Sequence, residues 1–221
     1  VAGNMGNIGG SRESNAVQSD TPFLTAELGG GVQDTYHRRP VIEPDDVAAM
    51  APVMLGSGAN LYGYYMFQGG ENPDGHLSSL QESQATGYPT DVPTRSYDFQ
   101  APLSEFGEER ASLRKLKVFH YFLNDFGSEL APMAVYAPAR VPKSPDDISV
   151  LRSSLRSDGQ HGFLFVNNYV RGATMPVRKD VQFHVSLPQS DLQIQARPIE
   201  IPTDAYFIWP FNLNLGGSTL K

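Results

Sequence analysis

The chain has 221 residues, a formal net charge of -7, 40% hydrophobic and 10% aromatic residues, and no cysteine. That composition is ordinary for a globular protein, and the acidic balance argues against nucleic acid and anionic membrane surfaces as partners. No run of about 18 apolar residues is present to span a membrane, and without cysteine there are neither disulfides nor thiolate metal sites.

Residues 1–20 are rich in Gly, Asn and Ser and show no apolar period, which predicts a loop. They lack the charged and apolar regions of a signal peptide, and the glycines near Met5 follow no strand, so they do not fit a dinucleotide fingerprint. Next comes TPFLTAELGGGVQDTYHRRP, Thr21 to Pro40. Pro22-Phe23-Leu24-Thr25-Ala26 reads as a fully buried strand, with proline where it costs no ladder bond. The strand ends on Glu27, and Gly29-Gly30-Gly31 follow. Parallel α/β enzymes place catalytic groups at the carboxyl ends of their strands. The same pattern also fits a strand ending in an exposed acid and a polar loop. Tyr36-His37-Arg38-Arg39 then bring hydrogen-bonding and cationic side chains.

Pro44-Asp45-Asp46-Val47 predicts a helix start, since proline suits the first turn and aspartates complement the positive end of the dipole. The helix is expected to run to the glycines at 56 and 58, bent at Pro52. Asn60 to Phe67 predicts a second, aromatic-rich strand, so that strand, helix and strand form a βαβ unit with a right-handed crossover. Residues 68–107 are polar with little periodicity, a length that suits a lid or binding loop. Glu108 to Phe126 predicts a helix, with Leu113, Leu116, Phe119, Leu123 and Phe126 as its core stripe and Gly127 as its end.

Past Pro132 the period becomes two. Val181, Phe183, Val185 and Leu187 read as one half-buried strand, and Leu192, Ile194 and Ala196 as another. His161 to Val170, Ile148 to Leu155 and Ala205 to Trp209 are further strands, which together predict a partial antiparallel β-sandwich. The first part offers two strands and two helices, too few for a (β/α)₈ barrel of about 250 residues. The expected fold is therefore α/β then all-β, changing character near residue 130, and the α/β part is either a small, unusual module or a slice of something larger. The chain is expected to be the carboxyl-terminal slice of a larger enzyme, completed by the remainder of its parent chain.

Three segments carry a resemblance to glycoside hydrolase family 35, the retaining β-galactosidases. Glu27 and its strand resemble the family's nucleophile strand. Tyr65-Met66-Phe67-Gln68-Gly69-Gly70-Glu71-Asn72 is similar to its YMFHGGTN segment. Ser96-Tyr97-Asp98-Phe99-Gln100-Ala101-Pro102-Leu103, with Glu105 and Gly107, is similar to SYDYDAPL-x-E-x-G. They fall in the family's order over about residues 21–126, and residues 130–221 resemble the β domain that follows the barrel in one bacterial branch.

The resemblance implies that residues 1–130 are the last βα units of a (β/α)₈ TIM barrel and residues 131–221 a partial β-sandwich accessory domain, in an enzyme that removes terminal β-D-galactosyl residues with retention, which takes two carboxyl groups roughly 5 to 5.5 Å apart. It implies Glu27 as the nucleophile. The acid/base glutamate belongs to an earlier strand, in an Asn-Glu motif that nothing here matches, and Glu71, where the family has threonine, reads as a rim residue. Tyr65 and Tyr97 align with tyrosines of the galactose site. Phe99 replaces a third, keeping the apolar face without the hydroxyl, which bears on sugar preference. Glycines 29 and 30 stand where bulkier aromatic residues often follow the nucleophile, so Tyr36, His37 and Arg38 are the candidates to build the pocket wall. Arg38 and Arg39 also fit pairing with rim acids.

The histidines at 37, 76, 120, 161 and 184 show no metal-ligand spacing, so neither metal nor cofactor is expected. The expected partner is a β-galactoside, as oligo- or polysaccharide, in a periplasmic, secreted or lysosomal setting by family analogy. Two rivals remain at this point: a related exo-glycosidase with another sugar preference, and a non-catalytic carbohydrate-binding protein that has lost the acid.

Overall fold

The computed structural model describes residues 16–17, 21–34, 38–74, 76, 84–87, 95–187 and 190–220. In chain order, a short strand β1 (Ala16–Val17) lies within the stretch expected to be loop. Strand β2 (Phe23–Gly29) runs past the glutamate and is half open to solvent rather than fully buried. Among the described residues its sheet has two strands, β2 and β3 (Ala59–Tyr65). Contacts between the two advance together: Phe23 N to Asn60 Oδ1 at 3.1 Å, then Gly30 N to the Tyr65 carbonyl at 3.3 Å. The strands therefore run in the same direction.

The helix expected from Pro44 onward is broken in two, α1 (Pro44–Ala48) and α2 (Met50–Gly56). The break falls at Ala49 and not at Pro52. Proline lacks the N–H that would bond the carbonyl four residues back, and its ring crowds that carbonyl, so the disruption appears near residue 48. Beyond β3, the pair β4 (Gly70–Glu71) and β5 (Ser96–Tyr97) forms a two-residue antiparallel ladder, and Gln84–Thr86 makes a single 3-10 turn.

Helix α3 (Ala111–Leu130) starts later than expected and ends later. Its start is delayed because residues 103–110 are held otherwise: Leu103 bridges Glu109, and Arg110 N donates to the Pro102 carbonyl at 2.9 Å. At the other end Gly127 lies inside the helix, its carbonyl accepting from Ala131 N at 3.0 Å. Glycine costs a helix about 1 kcal/mol, whereas burying a leucine yields about 1.5–3 kcal/mol. Leu130 is buried, and that outweighs the glycine.

The remaining strands are β6 (Ala134–Tyr136), β7 (Arg152–Ser157), β8 (Gly162–Asn167), β9 (Arg178–Val181), β10 (His184–Leu187), β11 (Ser190–Gln193), β12 (Ile199–Ile201), β13 (Tyr206–Phe211), β14 (Leu213–Leu215) and β15 (Ser218–Leu220). The single strand expected across 181–187 is two, because β9 pairs with β12 and β10 with β11. Asp180 adopts a left-handed φ of 55° and the β9–β12 ladder shifts register, as at a bulge that turns a strand toward a new partner. Likewise β11 ends at Gln193, before the Ile194 and Ala196 expected in it, and β7 begins at Arg152 and not at Ile148.

The chain forms two compact units. The first comprises Val1–Leu24, Ala49–Leu61 and Phe119–Lys221. Its centre is an antiparallel sheet in the order β1-β6-β7-β8-β13. Every residue of β8 is buried, and the alternation of its side chains divides two cores. Phe163 and Phe165 pack with Val53, Leu55, Phe122, Phe126 and Leu130 from the helices. Leu164 and Val166 pack with Val185, Leu187, Ile194 and Ile201 from the small hairpin sheets. The structure thus has hairpins on one face of the sheet, as a sandwich would, and helices on the other.

Arg156 ties this unit together. It is 1% exposed, and it donates to the carbonyls of Leu55, Ala59, Ala131 and Met133 at 3.2–3.4 Å. Those carbonyls lie at or beyond the ends of α2 and α3, where helices leave acceptors unsatisfied. Burial lowers its pKa to about 10.

The second unit comprises Thr25–Ala48 and Tyr62–Val118, and it holds most of the residues singled out from the sequence. No helix among the described residues is long and apolar enough to cross a membrane.

Candidate active site

Glu27 lies near the carboxyl end of β2, exposed, beside the strand that carries Tyr65. β3 presents aromatic rings in two groups. Tyr62 and Tyr64 form one, with Phe67, and burial pushes both phenols above their usual range. Tyr65 belongs to the other.

Tyr65, Tyr97 and Phe99 are brought together although more than thirty residues separate β3 from the other two. The hydroxyls of Tyr65 and Tyr97 are hydrogen-bonded to each other. Tyr65 meets Phe99 edge-on with centroids 5.3 Å apart, and Tyr97 meets Phe99 at 4.7 Å. The trio presents an apolar ring wall and a paired phenol edge, a surface suited to a sugar's mixture of C–H and hydroxyl faces.

The backbone under Phe99 is strained. Phe99 and Gln100 adopt φ of 57° and 53°, the left-handed region that costs a residue with a side chain about 1–3 kcal/mol. Local hydrogen bonds offset that cost. Asp98 accepts from Gln100 N at 3.1 Å and from Glu105 N at 3.0 Å, and it pairs with Arg110 at 2.7 Å. Arg110 also donates to the Ala101 carbonyl at 2.8 Å. The Gln100 side chain then fixes the loop after β2: its amide nitrogen donates to the carbonyls of Pro40 at 2.8 Å and Val32 at 3.2 Å, and its oxygen accepts from Ile42 N at 3.2 Å. None of these supporting roles was read from the sequence. Asp98 and Gln100 lie inside the SYDFQAPL segment, which was the available signal, whereas nothing marked Arg110.

The glycines after Glu27 have a packing reason. A Cβ on Gly30 would stand 1.9 Å from the Met66 carbonyl oxygen, and one on Gly31 would stand 2.0 Å from that of Phe99. Only glycine allows the loop to lie against both segments of the aromatic site.

Of the other expected residues, Tyr36 lies outside the described residues, as does His37. Arg38 is exposed on the stretch leading to Pro40, whose carbonyl Gln100 holds. Glu71 is exposed and accepts from Arg95 Nε at 2.5 Å, while Arg95 Nη1 reaches Asp74 at 3.0 Å. Among the described residues no three histidine, aspartate or glutamate side chains gather as a metal site requires.

The model of glycosyl hydrolases family 35 matches residues 5–123, more than half of the sequence and a span that includes Glu27 and the whole aromatic trio. The chain belongs to glycosyl hydrolases family 35. No curated protein matches the sequence.

Proposed function

We propose that this chain carries the nucleophile side of a retaining exo-β-galactosidase. The observation that carries the reading is the assembly of Tyr65, Tyr97 and Phe99 beside the strand bearing Glu27, inside the span matched by the family.

Glu27 attacks the anomeric carbon of a terminal β-galactosyl unit and forms a covalent α-linked intermediate as the leaving oxygen is protonated. Water then attacks the same carbon from the opposite side and restores the β configuration. The acid/base glutamate of both half-reactions comes from a barrel strand outside this sequence. The paired hydroxyls of Tyr65 and Tyr97 hold the nucleophile or a sugar hydroxyl, Phe99 covers an apolar sugar face, and Tyr36 and Arg38 serve as substrate-binding residues of the pocket wall. A two-stranded sheet is marginal alone, so β2 and β3 take neighbours from other strands of a (β/α)₈ barrel. On this reading residues 1–130 belong to that barrel, residues 131–221 form an accessory β domain, and the 221-residue chain by itself is inactive.

Azide tests the role of Glu27 in the full-length protein. Glu27→Gly should lower turnover of an aryl β-galactoside by roughly a thousandfold or more, and added azide should yield the α-galactosyl azide. The β-azide would assign Glu27 as the acid/base instead. Unchanged turnover would remove it from the chemistry.

A further inference from the structure

Phe106 is among the most exposed large apolar side chains in the described residues, at 81%, and it lies at a polar cavity. Its display is built in. Ser104 Oγ accepts from Phe106 N at 3.2 Å and from Glu108 N at 2.9 Å, and Ser104 N donates to the Glu108 carbonyl at 2.9 Å. Gly107 completes the turn with a φ of 82° that disfavours other residues. The turn holds the ring outward on fixed backbone, so ordering it on binding costs little.

The cavity measures about 370 Å³, toward the small end of the about 300–1,000 Å³ usual for ligand pockets. Phe99 forms one wall, so the cavity adjoins the aromatic trio. Asp34, Glu105 and Glu108 also line it. Its cation, Arg110, is already engaged by Asp98. Carboxylates accept strong hydrogen bonds from hydroxyls, whereas they repel a carboxylate or sulfate on a ligand.

We propose that this cavity is a subsite for the leaving sugar, with Phe106 as stacking platform and Asp34 and Glu105 as hydroxyl acceptors, selecting an uncharged pyranose over a uronate or sulfated one. The proposal rests on the glycosidase reading above and adds the residues that select the leaving sugar.

The test uses the full-length protein and three probes: lactose, the same disaccharide with its glucose oxidised to glucuronate, and β-galactosyl fluoride, whose leaving group does not reach the cavity. Phe106→Ala should lower kcat/KM for lactose about tenfold, mainly through KM, and leave the fluoride within about twofold. Phe106→Trp should restore lactose. The glucuronate disaccharide should be poorer than lactose, and Glu105→Gln should narrow that gap. Equal effects on lactose and fluoride, or none on either, would overturn the subsite while leaving the hydrolase reading intact. Should the wild type turn over neither galactoside, the hydrolase reading fails, and saturation-transfer NMR with lactose decides the subsite separately. Transfer to the glucose protons that is lost in Phe106→Ala upholds it, and transfer independent of Phe106 or absent removes it.

Discussion

Asp147 shows how closely a single side chain reports its surroundings. It accepts from Ser149 Oγ at 2.6 Å, Ser149 N at 3.0 Å and Lys143 N at 3.1 Å, and these bonds lower its pKa from 3.8 to about 2, the Ser149 hydroxyl first. A depressed carboxylate pKa contributes order that is complete above the unfolded value and is lost as pH falls through the folded one. The turn at 143–149 should therefore stay ordered at pH 4 and loosen as pH falls from about 3.8 to about 2. Carboxyl chemical shifts in an NMR titration would show it, and Ser149→Ala should move the midpoint up toward 3.8. At this scale the sequence was legible where residue types stand out within a recognisable segment. Glu27, Tyr65, Tyr97 and Phe99 stood out as an acid and three aromatics in recognisable segments. Gln100 did not, because its role comes from an unusual φ and from partners about sixty residues away, Pro40 and Ile42, which no local pattern announces.

At the scale of elements, periodicity located the helix and strands but not their ends. Gly127 and Pro52 are local signals, and each was displaced by something non-local or stereochemical: Leu130 found a core, and the proline acts on the turn before it. The strand across 181–187 alternates without interruption in sequence, yet its two halves have different partners, which only the assembled sheet determines. Two substitutions test how these elements are held. Gly31→Ala would press a methyl against the Phe99 carbonyl and should cost about 1–3 kcal/mol, read as a lower urea midpoint for the second unit. Arg156→Met keeps the apolar stem but removes the buried guanidinium's bonds to the carbonyls of Leu55, Ala59, Ala131 and Met133, and should cost about 2–4 kcal/mol in urea unfolding of the first unit.

Across the whole molecule the two units differ in how their backbone is secured. The first has a five-stranded sheet with a fully buried interior strand, β8, and cores on both faces; the second has two-stranded sheets and a loop network around Asp98. Opening free energies follow buried contacts and ladder neighbours. Amide exchange should be slowest in β8, at Phe163 to Val166, and faster by orders of magnitude in β2 and β4. Equal protection in both would contradict this division. The change from mixed helix and strand to antiparallel strands was readable from the periods of the sequence. The assignment of α2 and the end of α3 to the sheet-centred unit was not, since it depends on Phe163 and Phe165 pointing one way while Leu164 and Val166 point the other.

Trapping the covalent intermediate is the sharpest test of Glu27 as the nucleophile of a retaining galactosidase. The full-length protein would be inactivated with a 2-fluoro-β-galactosyl reagent, whose glycosyl-enzyme hydrolyses slowly, and its peptides mapped by mass. The fluorogalactosyl increment should appear on the peptide containing Glu27. An increment on any other carboxylate would contradict it.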